Sequence, residues 1–180
     1  VSQRADARVR RTRQRLLGAF SELLLAHPYE EITVQRVAAR AGIARSSLYE
    51  HFRGKRGLLA ASLAGPLGVL ADTVGAADNS DALAALLRHF WDNRARARGL
   101  FTGELRAHAV AVLARLIEER LRRERAVLAL PRPLAALQLA EALFAPVAAW
   151  LTAMCACSVP QLARGLRRAA RVLQGATHNP

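Results

Sequence analysis

Sulfur, lysine and aromatic side chains are all scarce in this chain. Its two cysteines, Cys155 and Cys157, lie one residue apart. Such a pair builds no disulfide framework, and without a neighbouring histidine it makes a poor metal site. Two buried structural thiols in a reducing, cytoplasmic setting are the expected reading. Aromatic residues make up 5% of the sequence and no alternating apolar and polar run appears. Strand-built folds are therefore disfavoured, and the dominance of Ala and Leu points to an all-α chain. The longest apolar run, Ala142 to Cys157, is interrupted by Pro146 and Thr152. It falls short of the ~20 residues a membrane span needs, so a buried helix and no membrane partner are expected. No apolar segment follows the N-terminal arginines, and no secretory signal is read. Catalytic patterns are missing too: no Glu-x-x-His for a helical di-iron site, no phosphate loop, no Gly-x-Ser-x-Gly, no zinc spacing. His89 and His108 sit on separate elements without evident carboxylate partners. Neither a catalytic residue nor a metal or cofactor is expected, and the chain reads as a non-enzyme.

What is present in excess is arginine. The net charge is +13, and Lys55 is the sole lysine. Residues 1–57 carry 12 basic against 5 acidic side chains, a net of +7; the longer remainder carries 15 against 9, a net of +6. The positive charge is densest in the first third, as a polyanionic partner requires.

That same third holds the most informative stretch, Thr33 to Lys55. Thr33 is a good N-cap. Val34, Val37, Ala38 and Ala41 then fall on one helical face. Gly42 can take positive φ and end that helix. A second helix is predicted from about Arg45 to Phe52, with Leu48 and Phe52 facing the first. Ser46, Tyr49 and Glu50 then point outward, flanked by Arg45 and Ser47. Helix, glycine turn, helix over residues 33–52 is the helix-turn-helix pattern, whose second helix enters the DNA major groove.

Three runs carry a resemblance: T-V-x-x-V-A-x-x-A-G-I (Thr33 to Ile43), S-S-L-Y-x-H-F (Ser46 to Phe52), and Lys55 with Leu58-Leu59. Together they resemble the DNA-binding domain of the tetracycline-repressor (TetR) family. The resemblance implies a three-helix DNA-binding domain, here residues 11–71, followed by a larger helical effector-binding and dimerisation domain, residues 72–180. It implies a homodimeric transcriptional regulator, in the usual case a repressor, released from a palindromic double-stranded operator by a small molecule. By position in the motif, Thr33, Ser47, Tyr49, His51 and Lys55 are expected at the DNA backbone. Arg45 is the expected base reader, because arginine pairs bidentately with guanine; Gln35, Ser46 and Tyr49 are secondary candidates. Two residues depart from the pattern: Ala44 stands where Ser often caps the recognition helix, and Glu50 points toward the groove. The rival class is a helical ligand carrier or partner-binding module that retains the helix-turn-helix fold.

Around that motif the chain reads as helices. The polar, Arg-rich Val1 to Arg11 is either a tail or an arm that touches DNA, and a helix is predicted from about Thr12 to Pro28. Arg11, Arg13 and Arg15 near its start are in reach of phosphate. Ile32 is expected to plug the three-helix core. Gly65-Pro66 is expected to kink or break the next helix, either as a hinge or as a plain boundary. A loop at Gly75 to Ser80 precedes a helix capped by Ser80 or Asp81. A short helix should start at Gly99, after a solvated end marked by Arg94, Arg96 and Arg98. Another runs through Val110 to Val127, and the most apolar one spans Leu134 to Met154. Ser158 with Gln161 makes a capping box for the last. Candidate effector-pocket residues are Phe90, Phe101, Glu104, His108, Phe144, Trp150 and Met154, or they are ordinary core. Few charges interrupt these faces, so an uncharged, largely hydrophobic effector is the natural match. Leu137, Phe144, Leu162, Leu166, Ala169 and Leu173 are the candidate dimer surface, the alternative being that they close the core of one chain.

Overall fold

The computed structural model describes residues 2–75, 79–124 and 128–175. Among them are α-helices α1 (Ser2–Ala26), α2 (Val34–Ala41), α3 (Arg45–His51), α4 (Gly54–Ala71), α5 (Ser80–Asp92), α6 (Arg94–Thr102), α7 (Arg106–Arg123), α8 (Arg132–Leu151) and α9 (Val159–Gly175), with a 3-10 turn at Tyr29–Glu31. No strand occurs among the described residues, and the all-α expectation holds. The chain divides into two compact units, Val1–Leu63 and Ala64–Pro180. The division falls inside α4, whereas the sequence suggested a boundary after residue 71, at that helix's end.

In the first unit α1 starts at Ser2, not near Thr12. The Arg-rich run expected as a tail or arm is helical, in keeping with the good helix propensity of Ala, Arg and Gln. Leu16, Ala19, Phe20 and Leu23 form its buried stripe, and Ile32 closes the core at 1% exposure. Val37, Ala38 and Ala41 of α2, Leu48 of α3 and Phe52 just beyond it complete the small core. Of the kink or break expected at Gly65-Pro66, the break does not occur: α4 passes through Pro66 as one helix. Proline removes one amide donor, but Leu63, Leu67, Leu70 and Ala71 stay buried around it. Packing of that face offsets one lost hydrogen bond.

In the second unit α8 packs against α7, α9 and α6, while α5 packs on α9. The helix α8 is long and apolar enough to cross a membrane by length and composition, but half of that window is buried inside the fold. Its role here is that of a core helix. Phe101 stacks on Phe144 at 4.3 Å and meets Phe90 edge-on at 5.2 Å; Trp91 stacks on Trp150 at 4.7 Å. Two arginines tie the helices at their margins. Arg106 of α7 makes a two-pronged pair with Glu141 of α8. Arg120 of α7 binds Asp72 and the Gly68 carbonyl at the end of α4. By contrast, the exposed Arg115–Glu119 and Arg122–Glu118 pairs contribute little.

Several sequence expectations are corrected in this unit. Arg94, Arg96 and Arg98 belong to α6, which starts at Arg94 rather than Gly99. Asn93 turns the chain instead, its amide returning to His89 and Trp91 carbonyls. The α6–α7 break falls at Gly103, before Leu105 and His108. Neither Ser80 nor Asp81 caps α5; Asn79 is its N-cap position and makes no side-chain cap bond. Its amide side chain donates instead to the Val69 carbonyl at 2.9 Å. Residues 76–78 of the expected loop, and Val127 of the expected long helix, lie outside the described residues. The most apolar helix stops at Leu151, short of Met154, and Ala153 takes φ 57° just beyond it. The thiols are not buried: Cys155 is exposed and Cys157 half-exposed. The capping box does form, with the Ser158 amide donating to Gln161 Oε1 at 3.0 Å and the Gln161 amide to Ser158 Oγ at 3.4 Å.

Gly103 shows how tight the α6–α7 corner is. A Cβ built there would lie 2.7 Å from the Gly99 carbonyl oxygen. Gly103→Ala is expected to lower unfolding free energy by about 1–3 kcal/mol, the usual cost of overpacking. Urea denaturation of wild type and variant measures it, and an unchanged midpoint would contradict the assignment.

Candidate nucleic-acid interface

The two short helices of the motif are held by local chemistry that their sequences specify. Thr33 caps α2 by accepting from the Arg36 amide at 3.2 Å. Gly42 sits in the left-handed region at φ 63°, ψ 41°, and its amide returns to the Ala38 and Ala39 carbonyls. The Ile43 amide also reaches Ala38 at 2.9 Å, completing a Schellman-like C-cap. The start of α3 differs. Ala44 has the extended backbone of an N-cap, φ −61° and ψ 142°, but gives no side-chain cap. The cap lost with serine is not supplied by another side chain at that position.

Burial of Leu48 at 0% and Phe52 at 5% fixes which face of α3 turns outward. Arg45, Ser46, Tyr49 and Glu50 are exposed, with Ser47 and His51 half-exposed. The Arg45 guanidinium lies 5.7 Å from the Tyr49 ring centre, one turn away on the same face. Thr33 and Gln35 are exposed at the start of α2. These residues share one unit and are free of core duties, apart from the Thr33 cap.

Lys55 is differently engaged. Its ammonium donates to the Tyr29 carbonyl at 2.9 Å and the Glu30 carbonyl at 3.4 Å. It also sits 4.1 Å above the Tyr29 ring and 3.8 Å from the Glu30 carboxylate. A cation in the first turn of α4 opposes the helix dipole, and these acceptors offset that cost. The same pattern recurs in α1, where sequence reasoning assigned phosphate contacts. Arg15 donates to the Ala41 carbonyl at 2.6 Å, and Arg13 to the His51 carbonyl at 3.2 Å. Each arginine thus serves the C-terminal end of one motif helix. Sequence reasoning missed this because nothing in spacing links residues 26 or 38 positions apart. Arg40 pairs with Glu22 at 2.7 Å, and Arg36 meets His27 at 2.6 Å, binding α2 further to α1. Arg8, Arg11, Thr12 and Arg15 line a cleft with Ile43 and Ser47. It brings the α1 arginines beside the start of α3, a strongly positive site with no carboxylate in its lining among the described residues.

In the second unit the effector candidates separate. Phe90, Phe101, Phe144 and Trp150 are buried, while Met154 is 80% exposed and Glu104 is also exposed; His108 is half-exposed. The aromatics fill space against one another, and the Trp150 indole donates to the Cys157 carbonyl at 2.9 Å. The dimer candidates separate as well. Phe144, Leu162 and Leu166 are buried within the chain, Ala169 and Leu173 are half-exposed, and Leu137 is 44% exposed. Leu134 at 53% and Val172 at 60%, which the sequence did not single out, are the other exposed large apolar side chains among the described residues of α8 and α9. Among the described residues no three His, Cys, Asp or Glu side chains gather as a metal site.

Residues 16–62 match the family described as bacterial regulatory proteins, tetR family. Over 64 residues the chain is 34% identical to the HTH-type transcriptional regulator TtgW of Pseudomonas putida, itself uncharacterized. It is equally similar to the HTH-type transcriptional regulator SrpR of Pseudomonas putida. These matches cover 36% of this chain, and only 48% of the first protein and 30% of the second. Across most of its length the chain is similar in fold to solved structures. A TetR transcriptional regulator from Rhodococcus sp. RHA1 has TM-score 0.53 at 21% identity, covering 91% of this chain and 95% of that one. A tetR-family regulator from Streptomyces coelicolor has TM-score 0.52 at 19% identity, covering 92% and 81%.

The Lys55 cluster can be probed through stability. Lys55→Ala leaves two carbonyls without their charged donor and should cost about 1–3 kcal/mol, read by chemical denaturation; a neutral variant would contradict the role. Tyr29 has its hydroxyl pKa raised, by burial first and by the Glu30 carboxylate second, against an opposing Arg56. The fold therefore favours the neutral phenol. That contribution is present below the ordinary tyrosine pKa of about 10 and lost as pH rises through the higher folded value. Tyr29→Phe should lose less stability than wild type between about pH 9 and pH 11. Equal losses in the two proteins would remove Tyr29 as the cause.

Proposed function

We propose, on the match of residues 16–62 to the tetR-family model, that the chain is a TetR-type regulator acting as a homodimeric, sequence-specific repressor of transcription. The observation that carries the reading is α3 itself. Leu48 and Phe52 are buried beneath it, leaving Arg45, Ser46, Tyr49 and Glu50 outward. That surface has the width and chemistry to enter a major groove. Arg45 reads a base through its fork of donors, with Gln35, Ser46 and Tyr49 beside it. Thr33, Ser47, Tyr49 and His51 touch the sugar–phosphate backbone, joined by Arg8 and Arg11 of the neighbouring cleft. Lys55 acts mainly by holding the Tyr29–Glu31 turn against α4.

Two copies related by a twofold axis bring two recognition helices to half-sites about one helical turn apart, ~34–36 Å. The outward side chains Leu134 and Leu137 of α8 and Val172 of α9 supply the isologous apolar contact, with Ala169 and Leu173 at its side. Phe144, Leu162 and Leu166 support that surface from within. The effector is small, uncharged and largely hydrophobic, and it enters among Phe90, Phe101, Phe144 and Trp150 near His108. Those rings are already packed, so binding requires them to part. A ligand that favours the parted state by ~1–3 kcal/mol lowers DNA affinity roughly 5–150-fold. The setting is cytoplasmic.

The test is selection from random duplexes followed by a salt titration. Enrichment of a palindrome bound by a dimer is expected. With about four phosphates per subunit, log affinity should fall against log salt with a slope of ~−7. Arg45→Ala should cost about 1–3 kcal/mol and relax choice at one position in each half-site. Selection that enriches nothing, or a slope near zero, would overturn the proposal and favour a ligand carrier that keeps the fold.

A further inference from the structure

We infer that Arg13 is a positioning residue for the recognition helix, acting on DNA affinity without touching DNA. The inference rests on α3 being that helix. Little holds α3 in place. The helix has seven residues, only Leu48 is buried among them, and its N-cap side chain is missing. A helix this short does not form alone, since nucleation costs more than one turn returns. Its neighbour α2 is better secured, with Thr33 at one end and Gly42 plus Arg15 at the other.

Arg13 supplies what α3 lacks. Its Nη1 donates to the His51 carbonyl, the last of α3, at 3.2 Å. The same guanidinium lies 4.4 Å from the centre of the Phe52 ring. A cation at a helix C-terminus meets the negative end of the dipole. A flat guanidinium can also lie over a ring while its edge donates, which an ammonium does less well. Arg13 thus fastens the C-terminal end of α3 and the ring that anchors it to a helix already committed to the core through Leu16 and Phe20. With no cap at Ala44, that fastening sets how much of the time α3 is formed and aimed.

The alternative source of an Arg13 effect is a phosphate contact, and the two differ in what they move. For a positioning residue, Arg13→Ala weakens operator binding by about tenfold, the scale of one charge-assisted hydrogen bond, and leaves the salt slope unchanged. In the DNA-free protein the amides of α3 exchange about tenfold faster for the same reason, while those of α2 do not. Arg13→Lys recovers part of both losses. The decisive variant is Ala44→Ser. Position 44 already has N-cap dihedrals, so a serine hydroxyl there can accept from the Ser46 or Ser47 amide and stabilise α3 from its other end. Ala44→Ser should improve binding more in the Arg13→Ala background than in wild type, since that background has order to regain. A salt slope shallower by about 2, the loss of one phosphate in each subunit, would overturn the inference. So would α3 amide exchange that Arg13→Ala leaves unchanged. The exchange arm needs no DNA, so it judges Arg13 even if selection enriches no operator and the DNA-binding reading fails.

Discussion

Carbonyl groups at the ends of short helices are the constraint on which the N-terminal unit depends. Helices of seven and eight residues, α3 and α2, have few internal hydrogen bonds and many unmet acceptors at their C-termini. Here the last carbonyl of each is met by a cation from elsewhere in the unit. Arg15 takes the end of α2, Arg13 the end of α3, and Lys55 the carbonyls of the Tyr29–Glu31 turn. The arginine excess that suggests a polyanion partner is thus partly structural. Other arginines stay outward, among them Arg45 on α3 and Arg8 and Arg11 in the neighbouring cleft.

The second unit solves a different problem. It buries a ladder of three phenylalanines and Trp150 between helices, with the exposed Trp91 stacked on Trp150, and it places its polar ties at the margins, Arg106 with Glu141 and Arg120 with Asp72. An aromatic interior of this kind can hold an apolar guest only by rearranging, which is a useful property where a ligand must bias one arrangement over another. The outward leucines of α8, Leu134 and Leu137, lie in its first two turns, whereas Phe144 is buried farther along. One helix can therefore serve core and partner surface together.

The motif was legible because its signals are local. A cap, a left-handed glycine and an apolar face at helical spacing all act within a few residues, and Thr33, Gly42 and Leu48 behave as that spacing predicts. The Ser158–Gln161 capping box was legible for the same reason. Where the expectations failed, a longer-range term overrode the local one. Pro66 does not break α4, because Leu67 and Leu70 are buried beside the lost bond. Residues before Thr12 join α1 despite their charge, because their helix propensity is high. Gly99 looked like a helix start, yet it lies inside α6; the real corner is at Gly103, where the backbone passes too close for a side chain. Cys155 and Cys157 follow the end of α8, which comes earlier than their apolar neighbourhood suggested. Nor could spacing say that Lys55 and two α1 arginines face carbonyls, since those partners are set by the tertiary fold.

The account's central claim is that the outward face of α3, steadied from α1, is where this chain meets duplex DNA. Amide chemical-shift mapping on addition of an enriched duplex tests it most directly. The account predicts the largest changes from Arg45 to Glu50 and at Thr33 to Gln35, with smaller ones near Arg8 and Arg11. Changes confined to residues 80–175, or none at saturating duplex, would contradict it.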